Sequence, residues 1–350
     1  MSDIFDKPTD QLEADILVEG KSISKEYPVI KIIVEKKVNE IPKATVEIID
    51  GDASKGDEGF KSASKVKIGS TIEIKAGYKA KTTTIFKGVI SGRNTEQNKN
   101  ENPMMIIECT DKAAKLMEGK KTVVFAKKSD SDVVTKIVND CGLEKSITIS
   151  GSTKFEQLRQ DDMSDWDFIK KRAFVNGCIL VPNDNKLTIN APDVSAAEVR
   201  TLKLGDTIKE QSLVVNDSNQ PTKVKAIAWD PAQQKKIEAT AAEPTVNAQG
   251  DKTGKKLSEN KGTEHILRSE VPLEQGVLKA WADGYLKMLR LAKITGRLNT
   301  QGDAKFLPNT IVKLQGFAAE YNGKGYIGGI KHTILPGDWE TELELGLSLG

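Results

Sequence analysis

The C-terminal end of the chain alternates. Leu343, Leu345, Leu347 and Leu349 are interleaved with Glu342, Glu344, Gly346 and Ser348. A period of two puts the leucines on one face of a strand and the acids on the other. Two further β-rich runs precede it, one around Thr310 and Ile311 and one from Tyr326 to Ile334. Gly-rich and Pro-Gly turn signals separate the three, so together they read as a small antiparallel meander.

The meander has an earlier echo. Residues 68–77 resemble residues 307–316, and Phe86 to Ile90 parallels Tyr326 to Ile330. Met105, Ile107 and Cys109 then parallel Leu343, Leu345 and Leu347, and further back Pro42 to Ile48 parallels Pro221 to Ile227. The parallels are weak residue by residue but keep their order. They predict an internal duplication of one β module, with other material inserted between and within the copies.

A chain of 350 residues has room for two or three domains. Lys and Arg number 52 against 50 Asp and Glu, a net charge of only +2. Such a balance gives no global basic field for nucleic acid and no polybasic run for a membrane surface. The polar start of the chain lacks the pattern of a signal peptide, and no apolar run is long enough to span a bilayer. Cys109, Cys141 and Cys178 are far apart and odd in number, as expected of reduced, mostly buried thiols.

The predicted organisation is mainly β with α+β insertions. Residues 1–125 form the first β-barrel, after a loose terminus ahead of Leu12. A polar loop covers residues 51–59, a mobile hairpin tip residues 94–103, and one helical turn, residues 111–117, closes the module. Residues 126–200 form an α+β insertion. Its first helix is capped by Asp130 or Ser131 and stopped by Gly142. Its second starts at Ser164 and stops at Gly177. Strands on either side of residues 182–185 complete it. The second barrel takes residues 201–230 and 296–350. Residues 231–295, a mobile excursion followed by a long helix over 273–294, interrupt it. Glu270 and Glu274 at one end of that helix, and Lys287, Arg290 and Lys293 at the other, complement its dipole.

Nothing in the chain reads as a catalytic, cofactor or metal site. His265 and His332 have no companions at catalytic spacing, and no Cys/His set suits zinc. Asp161 and Asp162 are explained by the helix start that follows them. Residues 323–328 match G-x-G-x-x-G, but the residues after Gly328 alternate like a strand, so the glycines read as a hairpin turn and not as a dinucleotide loop. Trp166 and Trp281 fall on predicted core faces of helices, and Trp339 anchors a strand start.

Several segments, in order, resemble one family. They are Asp165, Trp166, Phe168, Ile169 and Arg172; Trp281, Ala282, Tyr285 and Leu286; Gly296, Arg297 and Leu298; Leu307 to Thr310; Gly328 to Thr333; and Gly337 to Leu343. Gly88 to Ile90 and the turn at Asp111 to Met117 belong to the same set. Over nearly the whole chain the sequence resembles the hub part of VgrG-type spike proteins, the family that includes phage late control D proteins and the spike hubs of extracellular contractile injection particles. The resemblance implies two tail-tube-like antiparallel β-barrels per chain and a homotrimer that forms a pseudo-sixfold ring. It implies a structural baseplate hub, with no enzyme activity and no cofactor. The implied partners are an inner-tube ring above, a spike chain or PAAR-like tip below, and baseplate wedge proteins around it, with no nucleic acid and no membrane anchoring. Assembly in the bacterial cytoplasm, followed by incorporation into the injection particle, completes that expectation. The oligonucleotide-binding-type barrel and β-helical needle that follow the hub in VgrG-type proteins are not found in this sequence. The alternatives are a tail-tube subunit, which needs one barrel and not two, and a peptidoglycan- or carbohydrate-acting tail protein, which needs two carboxylates poised across a cleft.

Overall fold

The computed structural model describes residues 11–51, 61–79, 81–98, 102–149, 154–231, 233–246, 248–259, 261–269 and 271–347. The terminus before residue 11, residues 52–59 of the polar loop, Glu270, Ser348 and Leu349 lie outside the described residues.

The first part of the chain is a run of strands. These are β1 (Leu12–Val18), β2 (Lys21–Ser22), β3 (Val29–Lys37), β4 (Lys43–Ile49), β5 (Thr71–Tyr78), β6 (Lys81–Glu96) and β7 (Met104–Thr110). Ile32, Val34, Val46, Ile48, Ile72, Ile74, Met105 and Ile107 alternate along them and fill one core, as period-two patterning requires. A 3-10 turn, Lys112–Met117, closes the run. Its N-cap Asp111 accepts a 2.8 Å hydrogen bond from the Ala113 N–H.

An α+β unit follows. It contains β8 (Lys121–Lys128), α1 (Asp130–Asp140), β9 (Glu144–Ile147), β10 (Phe155–Met163), α2 (Asp165–Val175), β11 (Ile179–Asn183) and β12 (Lys186–Asn190). Helix α1 starts one to two residues earlier than its sequence suggests. Ser129 is the cap, in a reciprocal box with Asp132 that satisfies two backbone donors. Helix α2 is capped by Ser164, as expected. Asp184 and Asn185, at φ 53° and 69°, make the two-residue turn between β11 and β12. Val133, Val138, Trp166, Ile169, Leu180 and Ile189 are among the residues of this unit's separate core.

The remaining elements are β13 (Glu198–Lys203), β14 (Ile208–Val215), β15 (Lys223–Asp230), β16 (Lys235–Thr240), α3 (Gly254–Ser258), β17 (Glu264–Arg268), α4 (Gln275–Leu291), β18 (Ile294–Gln301), β19 (Thr310–Gln315), β20 (Gly323–Leu335) and β21 (Asp338–Leu345). Here the structure corrects the sequence reading. Strand β15 is not the counterpart of β4. It lies in a separate three-stranded sheet, β16-β15-β17, on which α4 packs through Leu278, Ala282, Leu286 and Leu289. The stretch read as a mobile excursion supplies two of that sheet's strands and α3. Its small, polar residues can form strands here because α4 brings the missing apolar surface.

The two strand-rich parts repeat one order. The first runs β3-β4-β7-β6-β5-β1, and the second runs β14-β18-β21-β20-β19-β13. They differ at the outermost place, where β1 is antiparallel to β5 but β13 is parallel to β19. The irregularities repeat as well. One bulge lies between Val29 and Lys31 on β3 and between Ile208 and Glu210 on β14. Another lies between Ile90 and Gly92 on β6 and between Ile327 and Gly329 on β20. Gly69 (φ 88°) and Asn309 (φ 62°) both turn with positive φ and donate N–H to the residue before that second bulge, Ile90 and Ile327 respectively. These landmarks align Val34 with Leu213, Val46 with Leu298, Ile107 with Leu343 and Cys109 with Leu345. The order of three sequence parallels therefore holds, but their registers are off by one to three residues.

Strand β20 also pairs antiparallel with β3, from Gly329↔Lys37 to Ile334↔Ile32. Both parts thereby merge into one 13-stranded sheet among the described residues. Ile334 and Trp339 of the second part complete the core of the first.

Candidate functional site

The junction of β3 with β20 is where the two parts of the chain become one surface. On the solvent side the alternating charges of neighbouring strands interlock. Lys31 meets Glu47 at 3.6 Å, Lys331 meets Glu35 at 3.2 Å, Lys37 meets Glu344 at 2.9 Å and Arg297 meets Glu342 at 3.7 Å. Pairs this exposed each contribute little to stability, but like charges in register would be penalised, so the pattern fixes which strands lie side by side. Partial burial alone would lower the Lys37 pKa; the carboxylates of Glu344 and Glu40 outweigh it and hold the ammonium above its usual range. A shallow groove along this face is lined by Glu35, Lys37, Glu40, Lys331, Glu342 and Glu344.

On the core side, Lys36 follows Ile32 and Val34 onto the buried face and is 2% exposed. Its ammonium donates to Asn183 and, at 3.0 Å, to Asp184 in the β11–β12 turn. Burial pulls its pKa down, against the pull of Asp184 and Asp111. Asp111 in turn accepts from the Asn185 N–H at 2.8 Å, and burial raises its pKa. Sequence reasoning missed this cluster, although one signal was present: a lysine at the apolar phase of a strand. Lys36 and backbone N–H groups engage Asp184 Oδ1 and both carboxylate oxygens of Asp111, so the cluster acts as a rivet between sheet and α+β unit.

His332 and Trp339 lie beside the junction. His332 is buried, its Nδ1 sits 2.7 Å from Thr341 Oγ1, and the Trp339 indole N–H donates to the same nitrogen at 3.3 Å. His265 is exposed and stacks on Tyr285, with ring centroids 4.8 Å apart. Asp161 pairs with Arg159 at 2.9 Å and Asp162 with Lys120 at 3.3 Å, both in the open. They sit in β10 and not at the start of α2. The G-x-G-x-x-G glycines lie in strand β20 itself, so the hairpin-turn expectation is corrected. Gly328 is the bulged residue, and a Cβ there would sit 2.1 Å from the Gly346 carbonyl oxygen. Trp166 is core, as expected, whereas Trp229 is exposed on the β15 sheet.

The same fold occurs in solved structures of low identity. The prophage MuSo2 43 kDa tail protein from Shewanella oneidensis matches with a TM-score of 0.70 at 12% identity, over 96% of this chain and 98% of that one. The tail protein from Neisseria meningitidis MC58 matches with a TM-score of 0.69 at 12% identity, over 97% of each chain. The E. coli c3393 protein, described as a component of the type VI secretion system, matches with a TM-score of 0.56 at 10% identity, over 95% of this chain and 76% of that one. No curated protein matches the sequence. A family model described as the Alg8 N-terminal domain does match, over residues 8–335, which takes in every element from β1 to β20. The chain therefore belongs to the Alg8 N-terminal domain family.

Proposed function

We propose that this chain is the structural hub of a contractile injection apparatus: a type VI secretion-like machine, an extracellular injection particle or a phage tail. Three copies form a ring, and each contributes two similar β modules, which arose by duplication. Six modules in a ring match a hexameric inner tube, while the threefold axis matches a trimeric spike. The observation that carries this reading is the recurrence of one strand order with the same two bulges in both parts of the chain. Fold neighbours described as tail proteins and as a type VI secretion component support it.

The role is mechanical. The charge-alternating face of the joined sheet lines the lumen and keeps it wet. The strand-rich rim seats the first tube ring, the opposite side carries the spike chain or tip, and wedge proteins grip the outside. The hub assembles in the cytoplasm, and sheath contraction expels it with tube and spike. No reaction is assigned to it. His332 lies sealed beside Trp339 with its ring held neutral, and burial raises the thiol pKa of Cys109 to about 12 and of Cys178 to about 11, so neither is a ready nucleophile.

Negative-stain images of the purified chain test the proposal. Rings with a central hole and six lobes are expected; particles without a ring contradict it. Incubation with purified peptidoglycan is expected to release no soluble fragments, and sustained release would overturn the mechanical assignment.

A further inference from the structure

The chain makes one module-to-module junction internally and carries both halves of a second. Strand β3 uses both of its edges, one for β4 and one for β20. Its counterpart β14 ends the sheet among the described residues: β18 is the one strand it pairs with, apart from a single bridge between Ile208 and Leu204 at its start. The distal half of β20, residues 329–334, is likewise paired on both sides, with β21 and with β3. Its counterpart on β6, residues 92–96, pairs with β7 alone among the described residues. The two open edges are the equivalents of the two edges that meet inside the chain.

We propose that β14 of one copy pairs antiparallel with residues 92–96 of β6 in a second copy. This rests on the ring reading above and specifies how the ring closes. The shared bulges transfer the register. Gly329↔Lys37 becomes Gly92↔Asn216, Lys331↔Glu35 becomes Asn94↔Val214, and His332↔Val34 becomes Thr95↔Leu213. The two edges lie in different modules, so the contact is head-to-tail and closes a ring by repetition. Three copies then hold six junctions, three within chains and three between them.

Backbone direction agrees. The Val38 N–H donates to Gly328 across the internal junction at 2.9 Å, so by alternation Val34 and Lys36 also aim their N–H groups at β20. Their counterparts are Leu213 and Val215. Independently, the Asn216 N–H donates to Lys293 on the β18 side at 2.9 Å, which leaves Leu213 and Val215 aimed at the open edge. The edge carries no proline, and Val214 on it is 54% exposed. An unblunted strand edge of this kind is a template for another strand.

A cysteine pair tests the register. The alternation makes Asn94↔Val214 a non-hydrogen-bonded pair, whose Cα atoms lie roughly 4.5 Å apart, within disulfide reach. In a Cys141→Ser background of the full chain, Asn94→Cys with Val214→Cys is expected to give covalent dimers and trimers on mild oxidation. Either cysteine alone is expected to give neither. The equivalent internal pair, Glu35→Cys with Lys331→Cys, provides the within-chain reference. A trimer by light scattering whose Asn94/Val214 cysteines stay reduced while the reference pair closes would overturn this junction and leave the hub reading standing. A chain that is monomeric at every concentration, with and without the spike partner, and gives no cross-links removes both. Val215→Pro is a second arm. It deletes an N–H that the β18 ladder does not use, so the variant is expected to keep a cooperative fold as a monomer and to lose the trimer. A folded, trimeric Val215→Pro protein contradicts the proposal.

Discussion

The Trp339 indole N–H donates to His332 Nδ1 across 3.3 Å, inside the core that the two strand-rich parts share. An indole can only donate, so this nitrogen accepts, and the neutral ring carries its proton on Nε2. Burial, with a smaller contribution from the Lys36 ammonium, pushes the His332 pKa down to about 3. The unfolded chain takes up this proton near the ordinary value of 6.5, whereas the folded chain does not. Stability from this residue is therefore complete above pH 6.5. It falls as pH drops toward 3, by about 1.4 kcal/mol per pH unit. Urea melts at pH 7.5, 5.5 and 4.5 measure the slope. His332→Gln is expected to start less stable and to lose that share of the slope; equal slopes in both proteins count against the assignment.

The α+β unit depends on a second buried contact. Arg172 of α2 grips Asp130 of α1 with two bonds, at 2.5 and 2.9 Å, and Asn176 adds a third at 2.8 Å. Arg172→Met leaves a buried carboxylate without its cation and is expected to cost about 3–5 kcal/mol. Asp130→Ala combined with Arg172→Met removes the charge as well and is expected to recover most of that loss. A single variant within about 0.5 kcal/mol of wild type, the range of ordinary surface substitutions, contradicts this role.

Helix α4 lies unusually close to the end of α2. A Cβ on Gly284 would sit 2.1 Å from the Cα of Gly177. Alanine normally stabilises a helix interior by about 1 kcal/mol over glycine. Gly284→Ala is expected to do the reverse and destabilise by about 1–3 kcal/mol, because neither backbone can yield without moving its element. Gly276, in the same helix with open space around it, is the internal control: Gly276→Ala is expected to be neutral or mildly stabilising. Thermal melts of the two variants separate propensity from packing.

Much of the fold is legible because period-two alternation and capping are local. The leucines of β21, the isoleucines of β5 and the Ser164 cap of α2 could be read directly. What escaped is set across the chain. A slip of two residues leaves a period-two pattern unchanged, so comparing Met105, Ile107 and Cys109 with Leu343, Leu345 and Leu347 missed a two-residue offset. Strand β15 has the same Val-x-Ala-x-Ala alternation as a barrel strand, and only α4 and its paired strands decide its sheet. Lys36 shows the same limit: its phase in β3 marks it as odd, but its partners in the β11–β12 turn are about 150 residues away in sequence.

The proposed hub requires a ring of three chains. Light scattering of the purified protein over a wide concentration range measures this most directly. The prediction is a stable species at three times the 38.2 kDa chain mass. A hexamer would favour a tube-like assembly, and a persistent monomer, including after addition of the spike partner, would contradict the hub.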